Sequence, residues 1–324
     1  MITVLTGGTG GAKFAQGLMQ VLGQDQLTFV VNTGDDLLWW GLYVSPDLDS
    51  ITYALAGVLS RERGWGVEGD TFFCLERMRT LGAPAWFQIG DRDLATHLRR
   101  SELLDAGLTL SQATQEIARA LGARAEILPM SDATVATRVR TPHGELSFEE
   151  YFVRDRYRSA VIEVHYVGAA EAKPAPGVVE AIQTAEAVLI APSNPVTSIG
   201  PILAVAGIRD ALRSTSAPVV AVSPIIAGAA VSGPAGDLMR AQGLHVSASG
   251  IAQAYRDFAN VLVIDERDRG EVAAIERLGL RAYVTRALMK TDQDKAALAA
   301  AALKAAQEYS ETTAAEKGIS ANRP

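Results

Sequence analysis

Four glycines in five residues, Gly7-Gly8-Thr9-Gly10-Gly11, separate a short β-branched run, Ile2 to Leu5, from a helical pattern of Phe14, Leu18, Val21 and Leu22. A second apolar run, Leu27 to Val31, follows. Strand, glycine turn, helix and strand make a βαβ unit, which crosses over right-handed and commits the chain to a parallel sheet. The alternation returns later: Ala187–Ile190, Pro218–Val222, Val261–Ile264 and Arg281–Val284 are short apolar runs. Helical patterns such as Leu203 to Leu212 and Ala235 to Gln242 lie between them. The fold class expected is α/β, a doubly wound, mostly parallel Rossmann-like sheet with ligands at the strand C-termini.

The stretch at about 50–130 differs. It carries amphipathic helical segments, among them Asp70 to Leu81 and Ser111 to Leu121, with little strand pattern. A helical, substrate-covering insertion is expected there. Thr134 to Arg140 and Glu145 to Val153, around Thr141-Pro142-His143-Gly144, read as a β-hairpin. An Ala/Lys-rich helix from Asp292 to about Tyr309 closes a single domain over 1–310, and 311–324 reads as a disordered tail.

Charge and rare residues exclude several classes. Thirty Lys+Arg against 37 Asp+Glu give a net charge of −7, which opposes a nucleic-acid partner but leaves room for a local phosphate site. The single cysteine, Cys74, excludes a disulfide framework and a thiolate zinc site. The four histidines show no i,i+4 spacing that would mark a helical metal site. Met1 leads directly into the first strand, and no apolar run approaches about 20 residues, so a soluble, cytoplasmic protein without membrane contact is expected.

Four motifs could carry chemistry. The glycine loop with Lys13 suits a phosphate, because glycines admit close backbone approach and a helix N-terminus supplies N–H donors. It ends neither as a P-loop nor as a dinucleotide fingerprint, and a tight helix–sheet turn is the alternative. Asp35, Asp36, Asp47 and Asp49 form an acidic group whose members repel unless a cation sits among them; otherwise Asp47 or Asp49 caps a helix beginning near Ser50. In Gly90-Asp91-Arg92-Asp93-Leu94-Ala95-Thr96-His97, Arg92 makes either a site contact or a surface ion pair. Trp86 and Phe87 nearby form either a wall for a flat ring or core. Ser193, Asn194 and Ser198 follow a central strand and suit phosphate contacts or helix capping.

Together with Gly64-Trp65-Gly66 and in this order, these motifs resemble the 2-phospho-L-lactate transferase family, which acts in making the deazaflavin coenzyme F420. The resemblance spans residue 2 to about 290. It implies an Mg²⁺-dependent transferase that moves phospholactate, phosphoenolpyruvate or phosphoglycerate from a guanosine-diphosphate-linked donor to the terminal hydroxyl of the deazaflavin Fo. GMP leaves, and the product is the glutamate-free coenzyme or its dehydro form. Gly7, Gly8, Thr9, Gly10, Gly11, Lys13, Ser193, Asn194 and Ser198 are then expected to hold the donor, and Asp36 and Asp49 the metal and the catalytic duty. Asp91, Arg92, Asp93 and His97 are expected to border Fo, and a homodimer is implied.

Two other readings compete. A non-catalytic sugar-nucleotide-binding regulator of the gluconeogenesis-factor type shares the first glycine and acidic loops, but is not expected to carry the Gly-Asp-Arg-Asp-Leu-Ala-Thr-His block. A nicotinamide-dependent oxidoreductase requires an acid at the end of the second strand, where Asn32 stands.

Overall fold

In a computed structural model, residues 1–316 and 318 are described. Seven parallel strands form the main sheet: β1 (Ile2–Thr6), β2 (Leu27–Val31), β3 (Glu126–Pro129), β4 (Ala187–Ile190), β5 (Val219–Val222), β6 (Val261–Asp265) and β7 (Arg281–Thr285). Their spatial order is β7-β6-β5-β4-β1-β2-β3. The chain therefore runs outward from β1 to β3, then restarts on the other side of β1 at β4. That reversal opens a crevice at the carboxyl ends of β1 and β4, where α/β sheets of this kind bind ligands.

Two-residue periodicity divides the strands between two cores. Val4, Phe29, Val31, Leu189, Val220 and Val263 face one side, against Phe14 and Leu18 of α1 (Gly8–Val21) and Leu48 and Ile51 of α2 (Pro46–Leu55). Leu5, Val30, Ile190, Ala221 and Ile264 face the other, against Ile199, Ile202, Leu238 and Ile251. Each fully buried Leu, Ile or Phe contributes about 1.5–3 kcal/mol, so both faces of the sheet are anchored independently of the loops at its end. The terminal helix spans Asp292–Glu316 and lies along α1, where a side chain at Gly17 would collide with the Lys295 backbone. It extends beyond the expected end at Tyr309, and the rest of the expected tail, 317 and 319–324, lies outside the described residues.

The insertion between β2 and β3 carries four helices, α2, α3 (Phe73–Thr80), α4 (Asp91–Asp105) and α5 (Leu110–Ala120), joined by loops. It also holds a two-stranded hairpin, Leu37–Trp39 with Leu42–Val44, turned by Trp40 and Gly41, both at positive φ. The sequence reading missed β3. Four residues ending in a proline carry little pattern, and that proline is tolerated because β3 is an edge strand. The expected hairpin forms as Ala136–Thr141 with Gly144–Ser147, but its second arm stops early and Glu163–Val167 adds a third strand. Among the described residues no helix is long and apolar enough to cross a membrane.

Candidate active site

The glycine loop folds tightly against the segment after β4. Ser193 Oγ donates to the Gly7 carbonyl at 2.7 Å, and Asn194 Oδ1 accepts from the Val196 amide at 3.0 Å, shaping that turn. Gly8 adopts φ +65°, a left-handed conformation that favours glycine. A side chain at Gly10 would collide with the Pro192 carbonyl, and one at Gly7 would lie 2.5 Å from Asp47 Oδ2. The glycines thus serve close packing and bring the first turn of α1, Gly8, Thr9 and Gly10, to the wall of the crevice. Gly10→Ala is expected to cost about 1–3 kcal/mol, read by urea denaturation; unaltered stability would discount the contact.

Beside this loop, Asn32 at the end of β2 organises an acidic cradle. Its Nδ2 lies 3.1 Å from Asp35 Oδ2, 2.9 Å from Asp47 Oδ2 and 3.2 Å from the Thr197 carbonyl, and its Oδ1 accepts from the Gly34 amide at 2.8 Å. Burial, reinforced by Asp47 and Glu149, pushes the Asp35 carboxyl well above its ordinary range. Burial likewise raises Asp47 to about 6, against hydrogen bonds from Asn32 and the Gly8 amide. Glu149 rises to about 8 through burial and the nearby Asp47 and Asp36. Asp35 Oδ1 is buried with no hydrogen-bond partner among the described residues. An all-oxygen set crowded enough to resist ionisation, with an unsatisfied lone-pair atom, fits a hard divalent cation.

These shifts set a pH dependence. Asp36 and Glu149, both raised to about 8, and Asp47, raised to about 6, bind protons in the folded state that the unfolded chain has already released. The stability they contribute is complete below the unfolded values near 4 and is lost as pH rises through 6 and 8. The metal-free melting midpoint is expected to drop by roughly 10 °C between about pH 5 and about pH 8.5. A flat profile in differential scanning calorimetry would contradict it.

A second buried network adjoins the cradle. Arg100, on α4, grips Asp49 through both guanidinium nitrogens, Nη1 at 3.1 Å from Oδ2 and Nη2 against Oδ1. Burial opposes the guanidinium charge, but Asp49 more than compensates and raises its pKa. His97 Nδ1 is 3.5 Å from Asp49 Oδ2, and its Nε2 is 3.4 Å from Asp93 Oδ1, which also accepts from the Tyr53 hydroxyl at 2.7 Å. Asp49, Asp93 and His97 present ligand atoms within 4.8 Å of one another and could hold a metal ion. The Arg100 cation already neutralises Asp49, which makes this set a poorer match to Mg²⁺ than the cradle.

The two groups share one cleft of about 560 Å³. Of the residues expected to hold a donor, Gly7, Gly8, Thr9, Gly10, Lys13, Ser193, Asn194 and Ser198 line it, whereas Gly11 packs behind against Thr6. Asp49, Asp93 and His97 also line it. Asp36 does not. It accepts from Ser45 Oγ at 2.6 Å and from the Tyr43 hydroxyl at 2.9 Å, and it is Asp35 that reaches the cleft. Asp91 and Arg92 also lie outside the lining. Asp91 accepts from Thr71 Oγ1 at 2.6 Å and from the Cys74 amide at 2.9 Å, holding the start of α3, while Arg92 reaches the Glu68 carbonyl at 2.9 Å. Helical geometry explains the split, since Asp93 and His97, four apart, share a face that 91 and 92 do not.

Neither Asp47 nor Asp49 caps a helix. The α2 helix starts at Pro46, with Ser45 before it, and both aspartates lie in its first turn. Trp86 and Phe87 act both as core and as wall: they pack on Trp39, at 4.7 and 5.9 Å between ring centroids, and also line the cleft. Trp65 lines it too, outside every hydrophobic cluster, between Gly64 and Gly66 at φ +73° and +66°. The sequence reading did not identify Arg100, Glu149, Phe148, Phe152 or Arg156. Phe148, Glu149, Phe152 and Arg156 lie at or just beyond the end of a supposed hairpin arm, and Arg100 stands three residues past His97 on α4.

Among known proteins, the profile of the family described as "2-phospho-L-lactate transferase CofD" matches residues 2–308. The chain is 43% identical to a 2-phospho-L-lactate transferase of Methanosarcina mazei, over 91% of this chain and 97% of that protein. It is also 43% identical to a phosphoenolpyruvate transferase of Kitasatospora aureofaciens, over 95% and 98% respectively. The crystal structure of a UPF0052-family protein from Bacillus halodurans superposes with a TM-score of 0.64 at 17% identity, covering 93% of this chain and 98% of that one, a likeness of fold alone.

Proposed function

The chain belongs to the 2-phospho-L-lactate transferase family of coenzyme F420 biosynthesis, and from that premise we propose that it moves a phosphoacid from a guanosine-diphosphate-linked donor to the terminal hydroxyl of Fo. The observation that carries this reading is the meeting of the glycine loop and the acidic cradle in one cleft at the β1/β4 reversal. The hydroxyl oxygen attacks the phosphorus bearing the acid, a new P–O bond forms, the P–O bond to GMP breaks, and the hydroxyl proton passes to a carboxylate. No covalent protein nucleophile is needed, and catalysis rests on in-line placement and charge neutralisation.

In this reading the first-turn amides of α1, Lys13 and Ser198 receive the donor diphosphate. Asp35 and Asp47, with Glu149 beside them, hold Mg²⁺ in place of the Asp36 and Asp49 first expected, because Asp36 and Asp49 are engaged by Ser45, Tyr43 and Arg100. When bound, Mg²⁺ neutralises the phosphoryl oxygens. Trp65, Trp86 and Phe87 offer flat faces to Fo, with the buried Asp93 and His97 in the same lining. Mg²⁺ is expected to restore the melting midpoint of metal-free protein at about pH 8.5 but not at about pH 5, where the carboxyls are protonated.

The deciding experiment supplies Fo, Mg²⁺ and donors carrying each of lactate, enolpyruvate and glycerate, with mass spectrometry of the product. Fo-dependent GMP release with one donor supports the transfer and identifies the acid. No release with any donor would favour the sugar-nucleotide-binding regulator. The homodimer that the family implies can be checked by light scattering.

A further inference from the structure

We infer that Arg156 is the receptor for the carboxylate of the transferred acid, an assignment that rests on the transferase reading and names the part of the substrate that reading leaves without a partner. Any lactate, enolpyruvate or glycerate donor is anionic at two places, the diphosphate and the acid's carboxylate. Five carboxylates line the cleft, Asp35, Asp47, Asp49, Asp93 and Glu149, and each would repel that second anion. Apart from His97, the basic side chains of the lining are Lys13 and Arg156. Lys13 stands in the first turns of α1, beside the loop that suits the diphosphate. Arg156 comes from a different element and has no ion-pair partner among the described residues.

Its freedom is arranged locally. Arg154 takes up the neighbouring acids, Glu150 at 2.6 Å and Asp155 at 2.8 Å, so neither neutralises Arg156. The backbone is held in an uncommon shape at this point: Glu150–Arg154 is a π-helical turn, and Arg156 and Tyr157 follow at φ +52° and +45°. Non-glycine residues rarely adopt that region, and such turns and outliers cluster at functional sites. The shape is fixed by packing around it, partly in the cleft wall itself. The Tyr157 amide donates to the Tyr151 carbonyl at 2.8 Å, Tyr151 is fully buried, and Phe148, Phe152 and Tyr157 stack in series at 5.4 and 5.8 Å. A guanidinium fork held this way matches a carboxylate's two oxygens, which an ammonium does not.

The test compares Arg156→Gln, Arg156→Lys and wild type in calorimetric titrations with the acid-bearing donor and with GDP. Arg156→Gln is expected to weaken donor binding about 10- to 100-fold and to leave GDP binding and the melting midpoint unaltered. Arg156→Lys should fall between. Unaltered donor affinity in Arg156→Gln, or an equal loss towards GDP, would overturn the assignment while wild-type GMP release keeps the transferase reading intact. Absence of Fo-dependent GMP release by wild type with every donor would overturn both.

Discussion

Asp47→Asn should lower turnover about 10²- to 10³-fold while leaving the protein at least as stable as wild type. The two effects have opposite signs for one reason. Asp47 is buried beside Asp35, with burial raising its carboxyl to about 6, so the folded state resists its charge. An amide of the same shape removes that charge, and its oxygen can still accept from Asn32 or the Gly8 amide. The proposed transfer, by contrast, would need the charge, because a neutral group would hold Mg²⁺ weakly and leave the phosphoryl oxygens uncompensated. Steady-state rates at saturating Mg²⁺, set beside thermal melts, separate these terms. Near-normal turnover would remove Asp47 from the site, and a large loss of stability would mean that its carboxylate holds the fold instead.

Asp49→Asn is expected to behave in the opposite way and to destabilise the protein by about 3–5 kcal/mol. Arg100 is only 2% exposed and is gripped by Asp49 through two nitrogens, so an amide in place of the carboxylate strands a buried guanidinium without its counter-charge. Joint replacement, Asp49→Leu with Arg100→Met, should recover much of that stability, since an apolar pair of similar volume avoids the desolvation of both ions. Urea denaturation of both variants beside wild type measures it. A single-variant loss below about 1 kcal/mol would mean the pair behaves like an exposed one. Inactivity of Asp49→Asn alone therefore does not establish a catalytic role, and rates must be referred to the folded fraction.

What could be read from the sequence was whatever rests on neighbours in the chain. Six of the seven main strands and the glycine turn announce themselves through short apolar runs and φ-permissive residues, but Glu126–Pro129 holds only Ile127 and Leu128 between an acid and a proline and does not. The four aspartates stood out together, yet which of them faces the cleft depends on contacts across the fold. Ser45 and Tyr43 turn Asp36 away, and Asn32 turns Asp35 and Asp47 inward. Asp91 and Arg92 sit in the same motif as Asp93 and His97 but on another face of α4, a distinction visible only once the helix start is fixed at Asp91. Glu149 and Arg156 reach the site from a segment that reads as a continuing strand and turns into a π-helical loop.

Because the two cores draw on alternate residues of the strands, while the cleft is built from the loops beyond their carboxyl ends, the parts that keep this protein folded and the parts that choose its substrate are largely separate. A lineage could exchange one transferred acid for another through a few loop substitutions, near Arg156 for example, with neither core rebuilt. Relatives named for phospholactate and for phosphoenolpyruvate, both 43% identical to this chain, are what such a division of labour would leave behind.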